Sequence, residues 1–382
     1  MRAISRSMRR NGGFSLVELM VGVVISLLAV LVITQVFTLF ESRKRSASGA
    51  ADAQTSGALA MFAIERDIRM AGYGLSQTGL IGCTINRWYD GTLLPSLTLK
   101  PASITKGSGG VSDSIRVSYS SKGWSVPARV VTEHPQTANN IFLNTTLGIA
   151  VGDMMVAYES GKDCTLFQVT GISGNSQIHH SSGKSKWNPP GGHNIFPSGG
   201  YSTNALVFNF GDLVDRSYSI DANNNLKLSE YSSDDNTSTT QTVVPNIVAL
   251  RMQYGFDTRA DPRSDARVDT WSDTVIDADG NKTVGDHGDV QRIYAIRLAV
   301  VARNAVGEKP KADGTCDYYD GEKPALKKPA WTAVNAATAK LESIEIDVSK
   351  NHDGSFRKDW QCYRYKTFQT IIPLRNRIWS QS

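Results

Sequence analysis

Catalytic signatures are the first thing this sequence lacks. No GxSxG, HExxH or GxxxxGK(S/T) occurs in it, which closes the commonest routes to an activated serine, a zinc-bound water or a cradled phosphate. Histidine is scarce, at six residues. His179 and His180 are neighbours, and adjacent side chains on a strand point apart, so they hold a metal only with further ligands. With His193 they lie in a stretch rich in Gly, Ser and Pro, and neither metal nor cofactor is expected there. Cysteine is scarce too. Cys83, Cys164, Cys316 and Cys362 form no CxxC, and no histidine stands at zinc-finger spacing from them. Nor is there a real excess of charge. The net charge is +5, but Arg2, Arg6, Arg9 and Arg10 precede Gly12 with no acid among them, so the rest of the chain is nearly neutral. A near-neutral surface has no electrostatic footprint for nucleic acid, and none is expected as a partner. No enzyme is expected either.

What is present starts at the amino terminus. The basic stretch runs into Gly12-Gly13-Phe14-Ser15-Leu16-Val17-Glu18-Leu19-Met20, and an uncharged apolar run then continues to Phe40. From Leu19 to Phe40 a helix would span roughly 33 Å, the thickness of a hydrocarbon core. The arginines lie before it, so the positive-inside bias keeps the amino terminus in the cytoplasm and sends the remainder across. An ordinary secretory signal has an apolar region of only ~7–15 residues, shorter than this one. A plain signal anchor accounts for the length and the basic flank but not for a glutamate at the mouth of the segment. A carboxylate there is costly and calls for a specific partner. Gly22, Ser26 and Ala29 put small residues along the same helix, where helices can approach closely.

The basic flank, the Gly13-Phe14 junction and Glu18 together resemble the class III leader of type IV pilins and pseudopilins. That resemblance implies cleavage after Gly13 by a prepilin peptidase and N-methylation of the new terminus, Phe14. It also gives Glu18 an assembly role. In a helical stack, one subunit's Glu18 meets the terminal amine of a neighbour, which recruits subunits and sets their register.

This topology places all four cysteines outside the cytoplasm, where disulfides persist. Four cysteines allow three pairings. The sequence-local one, Cys83–Cys164 with Cys316–Cys362, is the simplest expectation.

Beyond Phe40 the helix is expected to continue to about residue 72. Glu41 to Met70 has no proline, and Met61, Ile64 and Ile68 form an apolar stripe, with the polar stretch Ser42–Gly57 more exposed. Gly72 and Gly74 end the element. The pattern then turns to strands. Ser114–Tyr119 and Thr165–Thr170 alternate, and Arg216–Ile220 and Leu226–Tyr231 flank the turn residues 221–225 as a hairpin. Longer strands are expected at Ile247–Phe256, Ile293–Arg303, Ile344–Val348 and Tyr363–Ile372. Stretches 174–204 and 304–340 read as long surface loops. The expected fold is α+β and pilin-like. Its parts are a leader over 1–13, a helix over 14–72 that is transmembrane in 14–40, and a large, mostly antiparallel β domain over 73–382.

Residues 64–74, 245–257, 293–303 and 363–376 resemble the PilW-like minor pilins, so the resemblance covers both ends of the chain, while 75–245 is less diagnostic. Strand alternation puts Arg251, Arg297, Arg364 and Lys366 on solvated outer faces, or else on a basic face for a partner. The acidic run Asp273, Asp277, Asp279, Asn281, Asp286, Asp289 fails the EF-hand register, with Lys282 at position 6 and Gly288 at position 12. It reads as a solvated acidic turn ahead of a different kind of calcium loop.

The resemblance implies a minor pilin of a type IV pilus that primes assembly and sits in or near the tip complex, in support of twitching motility and adhesion. Its partners would be prepilin peptidase, other minor pilins, the major pilin and a tip adhesin. It would wait as a single-pass inner-membrane protein, its carboxy-terminal domain periplasmic, and become extracellular in the pilus. Two alternatives remain. A type II secretion minor pseudopilin shares the leader and helix, and gene neighbourhood separates the two. A tip adhesin or DNA-uptake receptor needs a basic stripe interleaved with aromatics, of which Trp360, Tyr363, Arg364 and Tyr365 are a fragment.

Overall fold

The computed structural model describes residues 15–75, 80–122, 127–191, 194–233, 235–259, 265–307, 316, 328–351 and 353–378. Gly13, Phe14 and His193 lie outside them. The chain divides into two compact units, Met1–Ala51 and Asp52–Ser382.

Helix α1 covers Leu16–Met70 and contains no proline. Its stretch Leu16–Thr38 is 23 residues long, apolar enough to cross a membrane by length and composition, and wholly exposed. Such a helix meets all its backbone hydrogen bonds internally, which is what a bilayer demands.

In the second unit, Ala53, Gly57, Ala60, Ile64 and Ile68 form one buried stripe at helical spacing. The buried face thus starts earlier than the expected exposed stretch allows, and Met61 lies at its margin, only partly covered. Small residues at 53, 57 and 60 account for the difference, because they let strands approach the helix closely. Gly72, at φ +74°, turns the chain off the helix in a conformation glycine adopts without strain, and its N–H bonds Ser118 O at 3.0 Å.

The β structure is almost entirely antiparallel. One five-stranded sheet runs in the order Thr237–Pro245, Asn225–Ser232, Leu213–Ile220, Ser114–Ser120, Ala102–Thr105. A four-stranded sheet runs Thr270–Ser272, Ile247–Phe256, Ile293–Arg303, Tyr365–Pro373. The helix stripe packs with both in one core that includes Val117, Tyr218, Leu250, Met252, Ile296 and Leu298. Ile293–Arg303 is nearly continuously buried, because Trp331, Ala333, Ile346 and Val348 cover its second face at Ala299 and Val301. They belong to, or directly follow, the hairpin Ala330–Val334 and Leu341–Glu345. That second strand stops short of the expected Ile344–Val348. Ile346 N–H bonds the carbonyl of Pro329, and a proline has no N–H with which to extend the ladder.

A six-stranded sheet runs Thr92–Thr98, Thr84–Tyr89, Cys164–Gln168, Met154–Tyr158, Leu206–Gly211, Ala128–Arg129, and a three-stranded one joins Asn140–Phe142, Gln177–His179 and Gly171–Ser173. Only Thr84–Tyr89 and Cys164–Gln168 pair in parallel among the described residues. Here the expected surface loop 174–204 is corrected. It contributes the strand Gln177–His179 and buries Trp187, Ile195, Phe196 and Tyr201. Its glycines and prolines shape turns between core anchors. Likewise 304–340 is not all loop, since it holds the strand Ala330–Val334 with Trp331 buried.

Candidate functional site

At the start of α1, the Glu18 carboxylate accepts the Ser15 backbone N–H at 3.2 Å. Ser15-x-x-Glu18 has the spacing of a capping box, and this is its backward-reaching half. Glu18 therefore has a local partner, a role that the sequence pattern signals only through the serine three residues earlier. Ser26 Oγ donates to Gly22 O at 2.8 Å, so that hydroxyl is also satisfied within the helix.

In the second unit the helix is joined to the five-stranded sheet through Asp67, which is about 1% exposed. Its carboxylate accepts Tyr218 Oη at 2.7 Å and Arg216 Nη1 at 3.2 Å. Arg216 reaches on to Glu230 at 2.8 Å and Tyr119 Oη at 3.1 Å. Burial opposes the Arg216 charge, but the Glu230 hydrogen bond and the Asp67 carboxylate prevail and raise its pKa. Burial, reinforced by Asp67, pushes the Tyr218 phenol up as well.

Cys83 is bonded to Cys164, and Cys316 to Cys362. The first bridge lies beside the parallel pairing, where Ile85 faces Cys164. The second ties residue 316 to the turn that precedes the last strand.

Of the basic residues on the carboxy-terminal strands, Lys366 is exposed, whereas Arg297 is buried and Arg251 and Arg364 are half-buried. Arg251 donates to the carbonyls of Val111 at 2.8 Å and Gly110 at 3.0 Å, and Arg297 stacks on Trp271 at 4.4 Å and donates to Thr332 O at 3.1 Å. Burial lowers the Arg297 pKa. Lys366 bonds Gln54 on the helix, and Asn304 Oδ1 accepts the Arg364 backbone N–H. Tyr363, counted in the aromatic stripe, lies between Arg303 and Arg357, with ring centroid distances of 4.1 and 5.1 Å. Alternation predicts which face these side chains take; it cannot predict that neighbouring loops cover that face.

The acidic loop is exposed over residues 280–284, as expected of a solvated turn, but it is anchored by a buried carboxylate. Asp289 is fully buried and accepts backbone N–H groups from Ala278 at 2.5 Å and Gly285 at 2.6 Å. Asp277, Asp279 and Asp289 bring carboxylate oxygens within 4.8 Å of one another, and burial with the neighbouring acids raises the Asp279 pKa. The histidines separate as adjacent strand residues should. His179 bonds Ser173 and Asn140, while His180 turns inward to His134, Nε2 to Nε2 at 2.9 Å.

A membrane-length amino-terminal helix joined to a helix-packed antiparallel domain with two disulfides defines a pilin-like anchored subunit. Residues 8–34 match the prokaryotic N-terminal methylation motif. Residues 214–376 match the Type IV Pilus-assembly protein W model, and this part of the chain is a domain of the PilW family. That match takes in the strands carrying Arg216, Arg251, Arg297 and Lys366, whereas 75–213 lies outside both models. No curated protein and no solved structure matches the chain. The two family matches support a type IV pilus minor pilin whose leader implies processing by prepilin peptidase and association with pilus components.

Proposed function

We propose that this protein primes assembly of a type IV pilus from the inner membrane and stays in or near the tip complex, supporting twitching motility and adhesion. What carries the proposal is one chain that joins the methylation motif at 8–34, an exposed membrane-length helix and a PilW domain at 214–376. The subunit waits with its β domain in the periplasm, loses residues 1–13, and enters a stack through Phe14–Phe40. Glu18 then leaves Ser15 for the methylated amine of a neighbour's Phe14. The β domain supplies lateral contacts to other minor pilins, the major pilin and a tip adhesin, and is carried outside with the fibre. The size of the domain fits an initiating or terminal place, because a repeating subunit must fit that bulk at every step of the helix.

Two measurements test this. Mass spectrometry of the amino-terminal peptide should find N-methylated Phe14, and replacing Gly13 with leucine should leave Arg2–Arg10 attached. Co-purification of the anchored chain should recover other minor pilins. Intact leader in assembled fibres, or recovery of secretion-system components alone, overturns the assignment.

A further inference from the structure

Outside the PilW match, the middle region carries a cavity of about 240 Å³ between residues 136–139 and 180–196. Drug-sized sites run about 300–1,000 Å³, so this one suits a single small ring. Its wall is chemically selective. Gln136, Asn139, Ser182 and Asn194 offer amides and a hydroxyl, the largely buried Phe196 adds an apolar aromatic patch to the lining, and His180 stands behind them. Amides combine donors and acceptors, as does each hydroxyl of a sugar, and an aromatic face packs against the C–H face of a pyranose.

Several of these groups are held in place with valences open to the cavity. Asn139 Oδ1 accepts Ser182 N–H at 3.3 Å and its carbonyl accepts His180 N–H at 2.9 Å, while its amide N–H groups have no protein partner among the described residues. Gln136 donates to Phe196 O at 2.9 Å and keeps its carbonyl oxygen free among the same residues. The amide of Asn194 has no protein partner among them either. Behind the wall, His134, His180, Phe167 and Phe196 pack with ring centroids 4.7–5.9 Å apart, which stiffens the site. Among the described residues, no lining side chain is charged at neutral pH, because burial and the neighbouring His134 hold His180 neutral.

We propose that this cavity binds a neutral saccharide, one pyranose ring lying against Phe196 with its hydroxyls on Gln136, Asn139, Ser182 and Asn194. Among the described residues, an anionic sugar would find no cation there. The proposal is independent of the assembly role, since nothing in the helix or the PilW domain contributes to it.

The test uses the full chain in phosphocholine-headed detergent, because maltoside or glucoside heads would compete. Saturation-transfer NMR is run with glucose, galactose, mannose, N-acetylglucosamine and N-acetylgalactosamine, with N-acetylneuraminic acid as the acidic comparator. At least one neutral sugar should show transfer. Asn139→Ala and Asn194→Ala should each weaken its binding by about tenfold, the loss of a well-placed polar contact, with thermal unfolding unchanged because both residues are exposed. Absence of transfer to every neutral sugar, wild-type binding by both variants, or preference for the acidic comparator overturns the proposal.

Discussion

At Asp67 a buried carboxylate on the helix holds two side chains of one strand, Arg216 and Tyr218. Asp67→Ala leaves the Tyr218 hydroxyl with only the longer bond to the Ala63 carbonyl, at 3.3 Å, and Arg216 with only half its counter-charge. Losing one member of a buried pair costs several kcal/mol, and we expect about 2–4 kcal/mol here because Glu230 and solvent still reach Arg216. Tyr218→Phe, which removes one hydrogen bond and no charge, should cost about 1 kcal/mol. Urea unfolding of the two variants checks the ordering, and equal losses would contradict it. The buried His134–His180 pair contributes a pH dependence of its own. Facing nitrogens at 2.9 Å share one proton, so the two rings cannot both be protonated in place. Among the described residues, the other titratable group acting on the pair is His179, and the remaining neighbours are the rings of Phe167 and Phe196. Burial holds His134 at about 4 and His180 at about 3, against an ordinary value of 6.5. Both values are lowered, so the stabilisation they bring is complete above pH 6.5. It declines as the unfolded chain gains protons below that, and is gone once the folded values are passed. A tenfold loss of proton affinity on folding is worth about 1.4 kcal/mol, so melting temperature should fall steadily between pH 6.5 and 4. His134→Phe should flatten that slope.

Among the elements, the helix and the last strand meet where the chain has no side chain. A Cβ on Gly57 would lie 2.0 Å from Phe368 Cε2, so the ring has to leave its place on the helix. Gly57→Ala gains about 1 kcal/mol of helix propensity but should be destabilising overall, because overpacking costs about 1–3 kcal/mol. In a Phe368→Ala background the same substitution should become stabilising, and a double-mutant cycle reads the change of sign. Single-sequence patterns could place the helix and the long strands, since Ile247–Phe256 and Ile293–Arg303 are mostly apolar, interrupted only by Arg251, Gln253 and Gly255 in the first and by Arg297 and the terminal Arg303 in the second. They could not show Gly57 against Phe368, because nothing local to either residue announces a contact 311 positions away. The same limit explains 174–204, where single anchors such as Trp187 and Tyr201 are buried by other strands while the local composition looks like loop. The two disulfides close separations of 81 and 46 residues, a difference worth only about 0.5 kcal/mol in loop entropy. Removing either by paired Cys→Ser should therefore cost a similar ~2–4 kcal/mol, seen as earlier proteolysis of each double variant than of the fully disulfide-bonded chain under oxidising conditions.

For the molecule as a whole, the anchoring end was the most legible part, because a bilayer constrains sequence more tightly than a folded domain does: length, apolar character and flanking charge are all visible in order. Less visible, signalled only by the serine three residues earlier, is that Glu18 already has a use in the single chain. Its bond to the Ser15 N–H satisfies a helix-start donor that lipid would otherwise strand, whereas the proposed assembly contact needs its negative charge. Glutamine separates the two roles, since either Glu or Gln completes a capping box but only Glu carries charge. Glu18→Ala should lose both the cap and the charge pair, while Glu18→Gln keeps the cap and loses only the pair. If the intersubunit contact governs recruitment, the two variants should insert and be processed normally and fail alike in incorporation, measured as minor-pilin content of sheared fibres. If Glu18→Gln instead incorporates like the wild type while Glu18→Ala does not, the residue acts by holding the first turn of its own helix, and the partner of the Phe14 amine must be sought elsewhere.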